Sequence, residues 1–168
     1  SRKDHSFAHG LLGEVLALTR EYEGAVFHYR EAVRVNPKWM TPWLNWAMLS
    51  LSQRKPDIAI QVLGEGLKAN PESEELHMLL ASARSEQGQI DLAIAAYETT
   101  LRLNSRNLLA ANNLAVLLVD HKRDPSSLQR AFSLSRDFEK EAPHPLFIDT
   151  LGGVRFKMGQ QEEAIRLM

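Results

Sequence analysis

Residues 11–37, LLGEVLALTREYEGAVFHYREAVRVNP, decide how the rest of the chain is read. Leu11, Leu12, Val15, Leu16 and Leu18 keep the three-and-four rhythm of one amphipathic helix. Arg20 to Glu23 form a polar break, after which Ala25, Val26, Tyr29, Ala32 and Val33 resume the rhythm in a second helix closed by Asn36-Pro37. Two helices joined by so short a break pack antiparallel. A single hairpin of this size leaves its apolar stripe uncovered, so it needs neighbours.

The neighbours are in the sequence. Gly13, Ala47, Ala81 and Ala115 recur at one fixed step; Ala25, Ala59 and Ala93 share the step and continue at Ala131 and Ala164; Pro37 and Pro71 share it and the series returns at Pro143. Three series with one period mark a repeat, and small residues at fixed positions let the two helices of each unit approach closely. No strand-like alternation of useful length competes. The expected helices are 6–19 and 22–35, 41–53 and 56–69, 73–87 and 90–103, 107–121 and 125–141, then 145–158 and 161 to the end. Thr41-Pro42 and Asp124-Pro125 each place a capping side chain before a proline at the first helical position. Ala93 to Ala131 is longer than the step of the series, which predicts a turn extended by about four residues at His121 to Ser127.

These units resemble tetratricopeptide repeats. Unit one carries Leu12, Gly13, Leu16, Ala25, Tyr29, Ala32 and Pro37 at the family's positions, with His9 where the family has Trp. Unit two carries Trp43, Trp46, Ala47, Ala59, Leu63 and Pro71; unit three Leu80, Ala81, Ala93 and Tyr97. Unit four carries Leu114, Ala115, Leu118, Ala131, Phe138 and Pro143, and unit five Leu151, Gly152 and Ala164. The resemblance implies an all-α, right-handed superhelical solenoid of about five antiparallel helix hairpins, a single domain over 1–168 with repeats near 6–39, 40–73, 74–107, 108–144 and a truncated 145–168. Asn112-Asn113-Leu114-Ala115 and Asp149-Thr150-Leu151-Gly152 are also similar to the C-terminal repeats of bacterial proteins tied to exopolysaccharide export and protein sorting.

Composition narrows the function. Lys and Arg number 20 against 21 Asp and Glu, for a net charge of −1, and neither half of the chain is a basic arm or an acidic tail, which speaks against nucleic acid as the partner. No cysteine is present, so disulfides, thiol catalysis and cysteine zinc sites fall away. No apolar run approaches the roughly 18–20 residues needed to cross a bilayer. The compartment stays open between cytoplasm and, had a signal segment been removed, periplasm. No phosphate-binding glycine loop, nucleophile elbow or HExxH motif occurs, so no catalytic residue, cofactor or metal is assigned. His5 and His9 have the spacing of two ligands on one helix face, with Asp4 as a conceivable third, but His9 falls at a packing position and terminal disorder is expected for that stretch. His28, His77, His121 and His144 look scattered, with no shared face.

The resemblance also implies a concave surface built from the first helix of each pair. Carried over, its positions are Phe7, Gly10, Leu11, Glu14, Ala17 and Leu18 in unit one, then Thr41, Leu44, Asn45, Met48, Leu51 and Ser52 in unit two. From the whole set, Asn45, Met48, Met78, Ser82, Asn112, Asn113, Val116 and Asp149 are the candidate contacts for a partner. Relatives that grip an anionic C-terminal tail use Lys and Arg at positions where this chain has neither. An apolar surface dotted with amides suits an extended peptide or an amphipathic helix instead, the apolar groups supplying area and the Asn side chains meeting backbone groups. The packing alternative is that Leu11, Leu44, Leu79 and Val116 simply fill the space between helices, and Trp39, in an inter-unit turn, is a candidate anchor on the convex or edge surface. The expected function is a non-catalytic scaffold for a protein or peptide. The alternatives are a regulatory or substrate-presenting region of a larger enzyme, such as a glycosyltransferase, and self-association through the last repeat.

Overall fold

The computed structural model describes residues 2–122, 124–141 and 143–167, without the side chains of Arg2, Lys3 and Asp4. The helices are α1 (Arg2–Leu18), α2 (Tyr22–Val35), α3 (Met40–Ser52), α4 (Pro56–Ala69), α5 (Glu74–Glu86), α6 (Ile90–Leu103), α7 (Leu108–His121), α8 (Pro125–Ser135), α9 (Phe138–Glu141), α10 (Pro145–Lys157) and α11 (Gln161–Leu167). No strand occurs among the described residues. They form two compact units, Ser1–Gln89 and Ile90–Met168.

In the first unit α1 packs on α2, α2 on α3, α3 on α4 and α4 on α5, with α3 also touching α1 and α5. Its core joins Val33, Trp43, Ala47, Ala59, Val62, Leu63, Leu76, Leu80 and Ala83, and a second cluster holds Ala25, Tyr29 and Leu49. The small-residue series works as its spacing implies. A Cβ on Gly13 would stand 2.7 Å from the Tyr29 ring, and Ala47, Ala81 and Ala115 are fully buried. In the second unit α7 packs on α6 and α8, and α10 on α7, α8, α9 and α11. Leu114, Ala115, Ala131, Phe138, Leu151, Val154 and Ala164 are all buried there.

The turns inside the first three hairpins repeat as closely as the helices. Arg20, Arg54 and Gly88, one repeat apart from each other, take φ values of 67°, 57° and 71°, and Gly159 takes 82° in the last hairpin. Two arginines therefore hold a left-handed conformation that only glycine adopts without steric cost.

Four expectations need correction. The extra residues of unit four do not lengthen its turn: α7 ends at His121 and α8 starts at Pro125, the same gap as between Leu18 of α1 and Tyr22 of α2. One extra residue extends α7, and the others add helix ahead of Ala131, where Asp124 accepts from the Ser127 amide and Pro125 opens the helix. The expected helix 125–141 is broken after Ser135, because the Asp137 carbonyl starts a new turn, accepting from the amides of Lys140 and Glu141, and this turns Phe138 inward to 2% exposure. Thr41 is no cap; α3 begins at Met40 behind Trp39, and Pro42 is buried within the first turn. The N-terminal stretch expected to be disordered is helical from Arg2, while the suggested Asp4 side chain lies outside the described residues.

Candidate functional site

Within Ser1–Gln89, the first helices of the first two hairpins frame a shallow recess of about 460 Å³. Glu14, Ala17 and Leu18 of α1 and Asn45, Met48 and Ser52 of α3 line it, with Tyr29 and Leu49 beneath. All but the last two are residues that the family's concave positions named. Leu18 is 85% exposed and Met48 49% exposed, a costly display of apolar area for side chains with no packing duty there. Met78 and Ser82 lie half-buried on α5. Leu44 and Leu79 pack against the core, as the packing alternative has it, whereas Leu11 is half exposed.

The floor of the recess is a small polar network. Asn45 donates through Nδ2 to Glu14 Oε1 at 2.9 Å and also hydrogen-bonds the Tyr29 side chain. Burial, reinforced by the Glu14 carboxylate, holds the Tyr29 hydroxyl above its ordinary value, and the Asn45 bond pulls the other way.

The second unit repeats the arrangement two repeats further along. Asn113 Nδ2 donates to the Tyr97 hydroxyl at 3.1 Å, and Asn113 Oδ1 accepts from Asn112 Nδ2 at 3.3 Å. Asn112 is 2% exposed, so its side chain meets no solvent-borne partner, and its Oδ1 has no hydrogen-bond partner among the described residues. Val116 is 37% exposed and Asp149 is exposed. Leu109, Leu146 and Phe156 also stand open to solvent.

One placement differs from expectation, and one adds to it. Trp39 is half-buried: its ring lies where a Gly10 Cβ would be 2.3 Å away and stacks on exposed Phe7 with centroids 5.8 Å apart, so it packs on α1 while keeping part of its surface open. His28 is not isolated. Its Nδ1 lies 2.7 Å from His9 Nδ1, and His5 stands edge-on to His9 at 5.2 Å. His9 and His28 sit on different helices, and only the hairpin register brings them together. Burial, with the His28 and His5 rings, lowers the His9 value. The described residues contain no group of three or more ligand-type side chains with metal-holding geometry.

What sequence reasoning did not reach is on another face of the first unit. Trp43 and Trp46 stack with centroids 6.3 Å apart, yet they are treated differently. Trp43 is buried and its Nε1 donates to the Pro37 carbonyl at 2.9 Å; Trp46 Nε1 is enclosed without any acceptor among the described residues. An unmet buried donor costs on the order of 1–3 kcal/mol.

Known proteins with this architecture can now be set beside it. The Tetratricopeptide repeat family model matches residues 79–137. The solved structure of MamA superposes with a TM-score of 0.73 at 17% identity, covering 98% of this chain and 88% of that one. The structure of YrrB, described as a TPR protein with an unusual peptide-binding site, gives 0.72 at 18% identity over 95% of this chain and 80% of that one. Together with the repeat register and the paired helices, these show a tetratricopeptide-repeat fold, with the family's own model matching residues 79–137. Among curated proteins, the RNA polymerase-associated protein CTR9 of Caenorhabditis elegans is 24% identical over 148 residues, 87% of this chain. The chain spans only 13% of that relative's length. No helix of the described residues is long and apolar enough to cross a membrane.

Proposed function

We propose that the chain is a non-catalytic stretch of repeats, one continuous run over 1–168, whose concave positions hold an extended peptide or amphipathic segment of a partner protein. The observation that carries this reading is the recess with Leu18 and Met48 exposed over a polar floor of Glu14, Asn45 and Tyr29. Apolar side chains of the partner would cover Leu18 and Met48, and a backbone amide would meet the Glu14 carboxylate. The likeness to YrrB supports a peptide as the ligand class, and the small share of the CTR9 relative supports a place within a longer scaffold. The narrower form of the proposal, a bacterial exopolysaccharide or sorting assembly, rests on Asn112-Asn113-Leu114-Ala115 and Asp149-Thr150-Leu151-Gly152 alone.

The test is a random-peptide display selection on the chain, followed by titration of enriched peptides against Met48→Glu and Leu18→Glu. Loss of binding by tenfold or more in both variants, with unchanged melting temperature, is the expected result. Peptides that bind both variants as tightly as the parent would overturn the concave reading, and turnover by the purified chain would overturn its non-catalytic part. Light scattering that shows a stable dimer through the last repeat would favour self-association.

A further inference from the structure

A second cleft lies between α2 and α4, with Trp46 of α3 at its base, and shares only Ser52 with the concave recess. Two adjoining hollows of about 880 and 840 Å³ have Arg30, Trp46 and Ile58 in common. Both are within the range of sites that enclose ligand side chains.

The cleft has a cause in the repeat. At the position of Trp46 the other units carry Leu12, Leu80 and Leu114, and one helical turn further on, in place of Ser50, they carry Leu16, Arg84 and Leu118. In the second unit the Leu114 and Leu118 pair is fully packed. Here the large residue has moved to the first position and the second has shrunk to a serine whose hydroxyl turns back onto the Trp46 carbonyl at 2.9 Å. The space that a long side chain would fill between α2 and α4 is left open, and the wider ring gains no hydrogen bond in exchange. Packing alone asks for leucine at this position.

The rim gives the chemistry of an occupant. Arg30, Arg34, Lys55 and Lys68 line the two hollows against Glu23 and Glu65 only, in a chain of net charge −1. Arg30 holds its guanidinium over the Trp46 ring, 5.8 Å from the centroid. The carboxylate partners of Arg34 and Lys68, Glu31 and Glu65, are neighbours three residues away along the same helix, and the Lys68–Glu65 pair is exposed to solvent. Phe27 and Ile58 add exposed apolar walls.

We infer that this cleft binds an acidic protein segment carrying one large apolar side chain, which lies on Trp46 between α2 and α4 while its carboxylates reach Arg30 and the basic rim. The site is independent of the concave reading.

The probe is a blocked dodecapeptide of Glu and Leu with one central Phe, titrated into the full chain. Controls are its Lys-for-Glu counterpart and a Glu/Ser peptide without Leu or Phe. Among the three tryptophan indole N–H resonances, that of Trp46 should move most, and binding should weaken as salt is raised. Trp46→Leu restores the residue found at 12, 80 and 114, keeps the fold, and should lower affinity at least tenfold; Arg30→Gln should lower it several-fold and flatten the salt dependence. Met48→Glu should leave it unchanged. Failure of the acidic probe to bind, equal binding of the Lys peptide, or full retention in Trp46→Leu would each overturn the assignment.

Discussion

Tyr29 with Asn45 and Tyr97 with Asn113 are the same pair of residues at the same repeat positions, two repeats apart, yet the two asparagines bond differently. In Ser1–Gln89 Asn45, besides its bond to Tyr29, donates to the Glu14 carboxylate at the rim of the recess; in Ile90–Met168 Asn113 donates to the Tyr97 hydroxyl and its carbonyl accepts from buried Asn112. One junction is therefore tied to a charged group that reaches solvent, and the other is tied inward to a neutral amide that does not. A repeat sequence fixes where a side chain stands; its neighbour one helix away fixes what that side chain does.

The largest effect expected is on the tyrosines themselves. Both are 2% exposed, and replacing either by Ala should destabilise its own unit by about 3–5 kcal/mol through lost burial and the cavity left behind. Tyr29→Ala also frees the crowded space over Gly13. Amide hydrogen exchange would locate each loss; a loss spread equally over both units would break the treatment of the two junctions as separate.

The asparagines should divide the pair more sharply. Asn113→Ala removes the acceptor of Asn112 Nδ2 in a site with no access to water, so a cost of about 1–3 kcal/mol is expected. Asn45→Ala frees Glu14, which is only half-buried and can turn to solvent, and the Tyr29 hydroxyl at the floor of the open recess, so about 0.5–1 kcal/mol is expected. Denaturant titration of the two variants measures the order directly, and an inverted order would show that the rim, not the interior, holds the polar network together.

That contrast also marks how far the sequence could be read. Apart from the break after Ser135, helix ends fell within a few residues because prolines, asparagines and the repeat step punctuate the hairpins, and most of the residues lining the recess were named by the family resemblance. What stayed hidden depends on contacts across elements. The His9–His28 pair needs the register of α1 on α2, and the break before Phe138 is set by what that ring buries. The Trp46 cleft was present in sequence as an exchange of large and small residues, Trp46 and Ser50 for Leu and Leu, but only the structure shows that nothing fills the vacated space.

Smaller changes are expected at the hairpin turns, where one position is again occupied differently. Arg54 holds φ 57° where the next hairpin has Gly88 at 71° with no atom within 4 Å of an added Cβ. Arg54→Gly should stabilise the chain by about 0.5–1 kcal/mol and Gly88→Ala should cost about 1 kcal/mol, since backbone conformation is the only term that changes sign between them. A thermal melt that moves the same way for both would mean that Arg54 makes a contact worth more than its strain.

The smallest effect is one of pH, and it belongs to the first unit alone. Burial and then the His28 and His5 rings lower His9 below the ordinary histidine value of 6.5; Arg34 adds to the shift and Glu31 opposes it. The folded chain thus prefers neutral His9. Above pH 6.5 the residue is neutral folded or unfolded, and the full stability is present. As pH falls below 6.5 the unfolded chain takes up the proton first, so stability declines until pH has passed through the lowered value of His9. Melting temperatures taken between about pH 7.5 and 5 should fall, and His9→Gln should flatten that slope by removing the group that resists protonation. An equally steep slope in His9→Gln would place the pH sensitivity outside the His9–His28 contact.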